Sequence, residues 1–380
     1  MPGSHSVRTR EASFTATGEM PVRLGALEGQ SGLQIEDCHG GTRWLEREGS
    51  LVRSSTGERA RSFTFEPAEG ARGVRIDGRS YRGRLVVEPH PTSGLRVTNH
   101  VELEDYVEGV VASEVILWSA EPAELEAQAV AARTYALVSL DRQPNDPFLW
   151  DDTRDQAYRG IFLPVGAGEE RVALKLARAI EVSQGTVLWA NGELYDARFH
   201  ASCGGHTATL GDVFPAESLI FGGAVPCVPC RSIGASELGG GNGKVAWTAH
   251  FEPEALDRLA RDLRIGNRLL SLHVTRKDAF GRWLAVLCQG DRGSRVVEWK
   301  EIRRILGAGI LKSGMLSGTS PAGGERIRDG MTFEGVGRGH GVGLCQVGTH
   351  AFAIDGWTAT EILAHYYPIA RPGPLPRTSL

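Results

Sequence analysis

The feature that most constrains this chain is a change of hydrophobic period near residue 100. From Ser13 to about Asn99, apolar residues fall in brief runs: Leu24, Leu33, Ile35, Val52, Phe63, Phe65, Val74, Ile76, Leu85 and Val87. Gly-, Arg- and Ser-rich turns separate them, the pattern of a small antiparallel β region. From Val101 to Leu140 the spacing becomes three and four. Leu103, Val107, Val110 and Val115 form one stripe, and Leu125, Ala129, Ala132, Ala136 and Leu140 form a second. Between them, Ser119-Ala120-Glu121-Pro122 supplies a capping residue and a first-turn proline, so two consecutive helices are predicted. A third helical pattern runs from Arg171 to Glu181, and Asn191-Gly192 marks a hairpin turn after it. The predicted fold class is α+β, a helical core combined with antiparallel β regions and a zinc-bearing loop segment.

Composition excludes several classes. Of 380 residues, 41% are hydrophobic and 23% charged, which supports a sizeable core and excludes wholesale disorder. A net charge of -4 removes the electrostatic case for nucleic acid or an anionic membrane as main partner. No apolar run is long enough to cross a bilayer, and polar Met1 to Ala12 lacks the apolar segment of an export signal.

The first helix carries Glu102, Glu104, Asp105, Glu108 and Glu114. At about 100° per residue, Glu114 returns toward Leu103, Val107 and Val110, while Asp105 points to the opposite side. Burial against apolar groups raises a carboxyl pKa, and a carboxyl kept protonated near neutral pH can serve as a general acid. The alternative is a helix-end carboxylate that reaches water or pairs with Arg133. Arg133 and Tyr135 are polar groups of an otherwise Ala/Val/Leu helix. Arg133 either orients Glu114, binds a polar substrate or lies along the surface with its head in water.

Six cysteines are too few for a disulfide scaffold. Cys38, Cys288 and Cys345 are isolated, but Cys203-x-x-His206 and Cys227-x-x-Cys230 form two short-spaced pairs with a twenty-residue gap. That spacing suits one tetrahedral structural zinc held by Cys203, His206, Cys227 and Cys230. His200 competes with His206. A Cys227–Cys230 disulfide or redox pair is the alternative.

Gly335, Gly337, Gly339, Gly341 and Gly343 alternate with Val336, Arg338, His340 and Val342. In an extended chain, one face would be bare backbone and the other would present Arg338 and His340 together. The spacing fails both the dinucleotide and the Walker A patterns. The alternative is a segment that packs tightly against another backbone.

Together, "VELEDYVEGVVASEV", "AELEAQAVAARTYAL", "DQAYRG", "FHASCGGHTATLGDVF", "GRGHGVGLCQVGTHAFAIDG" and "EILAHYYPIA" resemble the stage II sporulation protein D / LytB-type (amidase enhancer) family. The motifs occur in the family's order over roughly residues 75–370. The resemblance implies a lytic transglycosylase acting on peptidoglycan glycan strands at MurNAc–GlcNAc bonds, leaving 1,6-anhydro-MurNAc ends. It places the family's catalytic glutamate on Glu114 and implies zinc near the "FHAS" segment, with His200 a further ligand candidate. It also implies a cell-envelope location. Arg133, Tyr135, Arg338, His340 and Gln346 are the expected glycan contacts. The chain departs from the family at "SEVILWSAEPAE", directly after Glu114. Two other readings stay open: a non-catalytic wall-binding enhancer of a separate amidase, or a hydrolase using Cys203/His200 or Asp151, Asp152 or Asp155. The expected division is a disordered 1–12, a β region 13–99, a helical catalytic core with zinc 100–238, an α+β insertion 239–333, a glycine-rich loop and C-terminal helices 334–370, and a tail 371–380.

Overall fold

The computed structural model describes residues 18–36, 41–143, 145–214, 222–232, 246–321 and 325–376. The expected disordered segment 1–12, Cys38 and the start of the expected insertion at 239 lie outside the described residues. The chain forms two compact units, residues 1–189 with 372–380, and residues 190–371.

The first unit opens with the β-like region. A six-stranded antiparallel sheet has the order Arg59–Ala60, Leu51–Ser54, Thr42–Glu48, Gly32–Glu36, Val74–Ile76, Arg79–Tyr81. Leu33, Ile35, Leu45, Val52, Val74 and Ile76 are buried, as period-two alternation requires of a half-covered sheet. A five-stranded sheet pairs Glu19–Arg23 with Leu95–Glu102, which pairs in turn with Arg84–Pro89. Leu95–Glu102 buries Leu95, Val97, Asn99 and Val101 and runs directly into the first helix. The expected boundary at 99 therefore falls inside a continuous strand-to-helix passage.

Three helices follow: α1 (Leu103–Glu114), α2 (Pro122–Asp141) and α3 (Ala167–Ser183). Helix α2 begins as its sequence directs, with Pro122 in the first turn and a capping box between Glu121 and Glu124. Most of α2 is buried, which accounts for its alanines: both α1 and α3 pack against it. The C-terminal segment is anchored. Arg371–Pro374 is a strand beside Thr186–Ala190, held by Trp189 Nε1 donating to Pro374 O at 2.9 Å and Leu375 N to Gly185 O at 2.8 Å.

The second unit has two three-stranded antiparallel sheets. One is ordered Ala246–Phe251, Met331–Val336, Met315–Ser320, and the other Leu269–Lys277, Trp283–Gly290, Ser294–Glu298. It also contains α4 (Leu210–Val213), α5 (Val228–Ser232), α6 (Pro253–Asp262), α7 (Trp299–Leu306), α8 (Gln346–Ile354) and α9 (Ala359–Tyr366). Trp247, Phe251, Leu256, Leu259, Val286, Trp299, Ile302 and Phe333 form its main core. The short strand Phe199–His200 runs parallel to Leu344–Cys345, joining segments far apart in sequence.

The alternating glycines do not form an extended ribbon. The strand ends at Val336, and Gly337, Gly339, Gly341 and Gly343 take φ of +80°, +104°, +87° and +73°. These are left-handed conformations that glycine adopts without penalty. Close approach also requires them: a Cβ on Gly343 would lie 2.0 Å from Arg198 O. The tight-packing alternative is what the segment does.

Candidate functional site

Glu114 is the last residue of α1, and its head is half-buried. The loop 151–161 holds it. Oε1 accepts the Ala157 N–H at 2.7 Å, and the neighbouring Ser113 Oγ accepts the Arg159 N–H at 3.0 Å. That loop is fastened to the helices around it. Gln156 Nε2 donates to Tyr106 O–H at 3.1 Å and to Ala132 O at 3.3 Å, while Tyr158 O–H donates to Asn99 at 2.8 Å. Gly109 lets the loop approach, because a Cβ there would lie 2.5 Å from the Tyr158 ring. The "DQAYRG" segment is thus a clamp that fixes the carboxyl of Glu114. Just past it, Ile116 is 46% and Trp118 60% exposed.

Arg133 is not a surface or substrate-binding residue. It is 0% exposed, and its Nε and Nη2 bond both oxygens of Glu104, at 2.9 and 2.5 Å. Its Nη1 donates to Thr186 O at 3.0 Å. Arg133 therefore ties α1, α2 and the following strand together. The sequence signal for this pair is the lone arginine in an otherwise apolar neighbouring helix. Tyr135 is also buried, and its O–H donates to Asp155 at 3.1 Å. The other carboxylates weighed as a second acid serve the loop itself. Asp155 accepts the Trp150 N–H at 2.8 Å, Asp151 the Gly25 N–H at 2.7 Å, and Asp152 pairs with Arg154. Burial raises the pKa of Asp151, and also that of Glu108, against the opposing charge of Arg82.

The second unit gathers four buried cysteines, Cys203, Cys227, Cys230 and Cys345, with their Sγ atoms all within 4.8 Å of one another. His206, expected in the set, lies outside this cluster, and Cys345 lies in it. The His206 ring stacks on Phe280, and its Nδ1 meets Thr207 O at 2.9 Å. His200 lies outside the cluster: its Nδ1 meets Val342 O at 3.1 Å, and burial with the charge of Arg282 lowers its pKa to about 4. Backbone N–H groups and hydroxyls approach the sulfurs. Gly205 N–H points at Cys203, Gly204 N–H at Cys230, and Cys203 N–H at Cys345, each at 3.3 Å. Ser202 Oγ lies 3.1 Å from Cys230, and Tyr366 O–H 3.2 Å from Cys227. Cys345 also caps the start of α8, its sulfur accepting the Gly348 N–H. A metal–sulfur distance of about 2.3 Å puts tetrahedral ligands roughly 3.8 Å apart, so the residues fit one ion.

Of the remaining expected contacts, Arg338 is exposed and His340 half-buried, with its ring 5.5 Å from that of His200 and 5.4 Å from that of Phe214. His340 is held neutral, well below the usual imidazole range, by burial and by His200 and the surrounding arginines. Gln346 is half-buried at the start of α8. These three belong to the second unit, and Glu114, Arg133 and Tyr135 to the first. A cavity of about 330 Å³ lined by Glu19, Arg23, Arg84, His100, Asp146 and Phe148 contains none of the expected residues. Among the described residues, no helix is long and apolar enough to cross a membrane.

Fold and site together define a mixed α+β protein with a clamped helix-end glutamate in one unit and a four-cysteine cluster in the other. Residues 92–189 match the family described as Stage II sporulation protein. A protein of Brachyspira hyodysenteriae, itself uncharacterized, is 27% identical over 85% of this chain and 79% of its own length. The Stage II sporulation protein D of Bacillus amyloliquefaciens is 25% identical over 83% of this chain and 88% of its own. The Amidase enhancer of Bacillus subtilis is 24% identical over 69% of this chain and 39% of its own. The chain is thus similar, through residues 92–189 and these relatives, to stage II sporulation protein D and the amidase enhancer.

Proposed function

We propose that this protein works outside the cytoplasm on the glycan strands of peptidoglycan, as a lytic transglycosylase with Glu114 as its single acid and base. The observation that carries the reading is the carboxyl of Glu114, half-buried at the end of α1 and oriented by the Ala157 N–H. In the proposed cycle, Glu114 gives its proton to the oxygen between MurNAc and GlcNAc as positive charge develops at C1 of MurNAc. The carboxylate then takes the proton of that sugar's C6 hydroxyl, which attacks C1. A 1,6-anhydro end forms, and no water is consumed. One carboxyl serves both steps, which fits the commitment of Asp151, Asp152 and Asp155 to structural bonds. The exposed Ile116 and Trp118 offer apolar surface for sugar rings beside the acid.

Cys203, Cys227, Cys230 and Cys345 would hold a structural zinc. With four protein ligands it has no open position, so its contribution is to fix the loops that carry the cysteines.

A second reading is favoured by the comparisons, because one relative is named Amidase enhancer. In it the protein binds the wall and stimulates a separate amidase, and Glu114 is dispensable. Digestion of purified glycan strands, read by mass spectrometry, separates the two. The enzyme reading expects products lighter than hydrolytic ones by one water, and their loss in Glu114→Gln. Intact strands with wild-type protein, together with amidase stimulation that survives Glu114→Gln, would establish the second reading instead.

A further inference from the structure

Arg282 is 2% exposed, and the functional reading above does not use it. Its Nη2 donates to Cys203 O at 2.9 Å and to His206 O at 3.1 Å. Its Nε and Nη1 are buried without a hydrogen-bond partner. The acid beside it, Asp278, has Oδ2 at 3.7 Å from Nε, too far for a hydrogen bond. The other oxygen of Asp278 is taken by the N–H groups of Phe280 and Arg282. Gly341 presses on the guanidinium from the glycine-rich segment: a Cβ there would lie 2.4 Å from Arg282 Cζ. The fold has therefore kept one position bare so that a cation can sit in its interior.

A buried cation that is incompletely paired is costly unless negative charge stands nearby. The four-cysteine cluster can supply that charge. A divalent ion with four thiolates carries a net charge of about -2, and Arg282 grips the carbonyl of one of the four cysteines. A second, half-buried cation, Arg303, is pushed down to about 10 by desolvation and by the charge of Arg282, so positive charge is concentrated here.

We infer that Arg282 is the built-in counter-charge of a doubly negative metal–tetrathiolate centre, and the residue that positions the Cys203 loop against it. The inference rests on the metal reading above. Gly341 acquires a role through it, because the bare glycine is what admits the guanidinium.

The test uses the full chain with wild-type Arg282, the neutral variants Arg282→Met and Arg282→Gln, and the charge-keeping Arg282→Lys. Zinc per chain and zinc affinity are measured by competition with a chromogenic chelator. The reduction potential is then measured on the same proteins loaded with iron in place of zinc. Reduction of a ferric tetrathiolate adds negative charge, so loss of a neighbouring cation lowers the potential. The neutral variants are expected to lose at least about tenfold in zinc affinity and to have a lowered iron potential. Arg282→Lys is expected to restore the potential. A purely structural arginine would not produce a shift that follows charge.

Folding and metal loading of Arg282→Lys where both neutral variants fail would also support the inference. An unchanged potential in a loaded neutral variant overturns it and leaves the metal site standing. So does failure of all three variants, because then only the shape of the guanidinium matters. A wild-type chain that takes up neither metal overturns the metal reading itself.

Discussion

Replacing Arg133 by methionine tests whether this residue belongs to the frame or to the glycan contact surface. Its guanidinium is fully buried and holds both oxygens of Glu104, whose side chain is 25% exposed. Removing one partner of a buried ion pair costs about 3–5 kcal/mol. Water reaches part of Glu104, so the lower end, about 3 kcal/mol, is expected for Arg133→Met. The lost bond to Thr186 O is included in that figure. For a unit of this size the corresponding fall in melting temperature is roughly 6–12 °C. Urea and thermal unfolding of the full chain, followed by circular dichroism, measures it. Adding Glu104→Met should recover much of the loss, since the orphaned carboxylate is then gone, and the double-mutant cycle isolates the pair. A loss below about 1 kcal/mol, or a stable variant that loses glycan binding, would refute the structural assignment.

Gly109→Ala places a methyl group against Tyr158 and should cost about 1–3 kcal/mol by overpacking. Glycan cleavage should fall with it as the clamp on Glu114 shifts, which a strand-digestion assay reads. Cys345→Ser is expected to reduce bound zinc to near zero while His206→Ala keeps it, as elemental analysis of the purified proteins will show. For Glu108, burial raises the folded-state pKa above the ordinary 4.5 despite Arg82, so ionising it disfavours the fold. That penalty is present above the folded pKa and vanishes below the unfolded one. Glu108→Gln should therefore stabilise the protein at neutral pH, with the gain shrinking as pH falls toward 4.5. Urea midpoints at several pH values measure the trend.

What was legible in the sequence was local. The stripe Leu103, Val107, Val110 and the Glu121-Pro122 start defined α1 and α2, because periodicity and capping act within a turn or two. The β-region positions from Leu33 to Val87 were legible for the same reason. The partner of Arg133 was not, since Glu104 lies 29 residues earlier on another helix. Cys345 looked isolated because its neighbour Cys203 is 142 residues away. The glycine alternation imitated a strand, because a residue pattern carries no information about the sign of φ. The strand Arg371–Pro374 fell inside the expected tail because a four-residue Pro-rich strand has almost no pattern to read.

The pairing of Phe199–His200 with Leu344–Cys345 sets a timetable. The two strands are separated by well over a hundred residues, so at roughly 5–20 residues per second the ribosome delivers the second on the order of 10 s after the first. Through that interval Cys203, Cys227 and Cys230 emerge without their fourth companion. A chain whose translation stops short of residue 344 never closes its second half, and quality control would meet it as an open polypeptide displaying bare thiols.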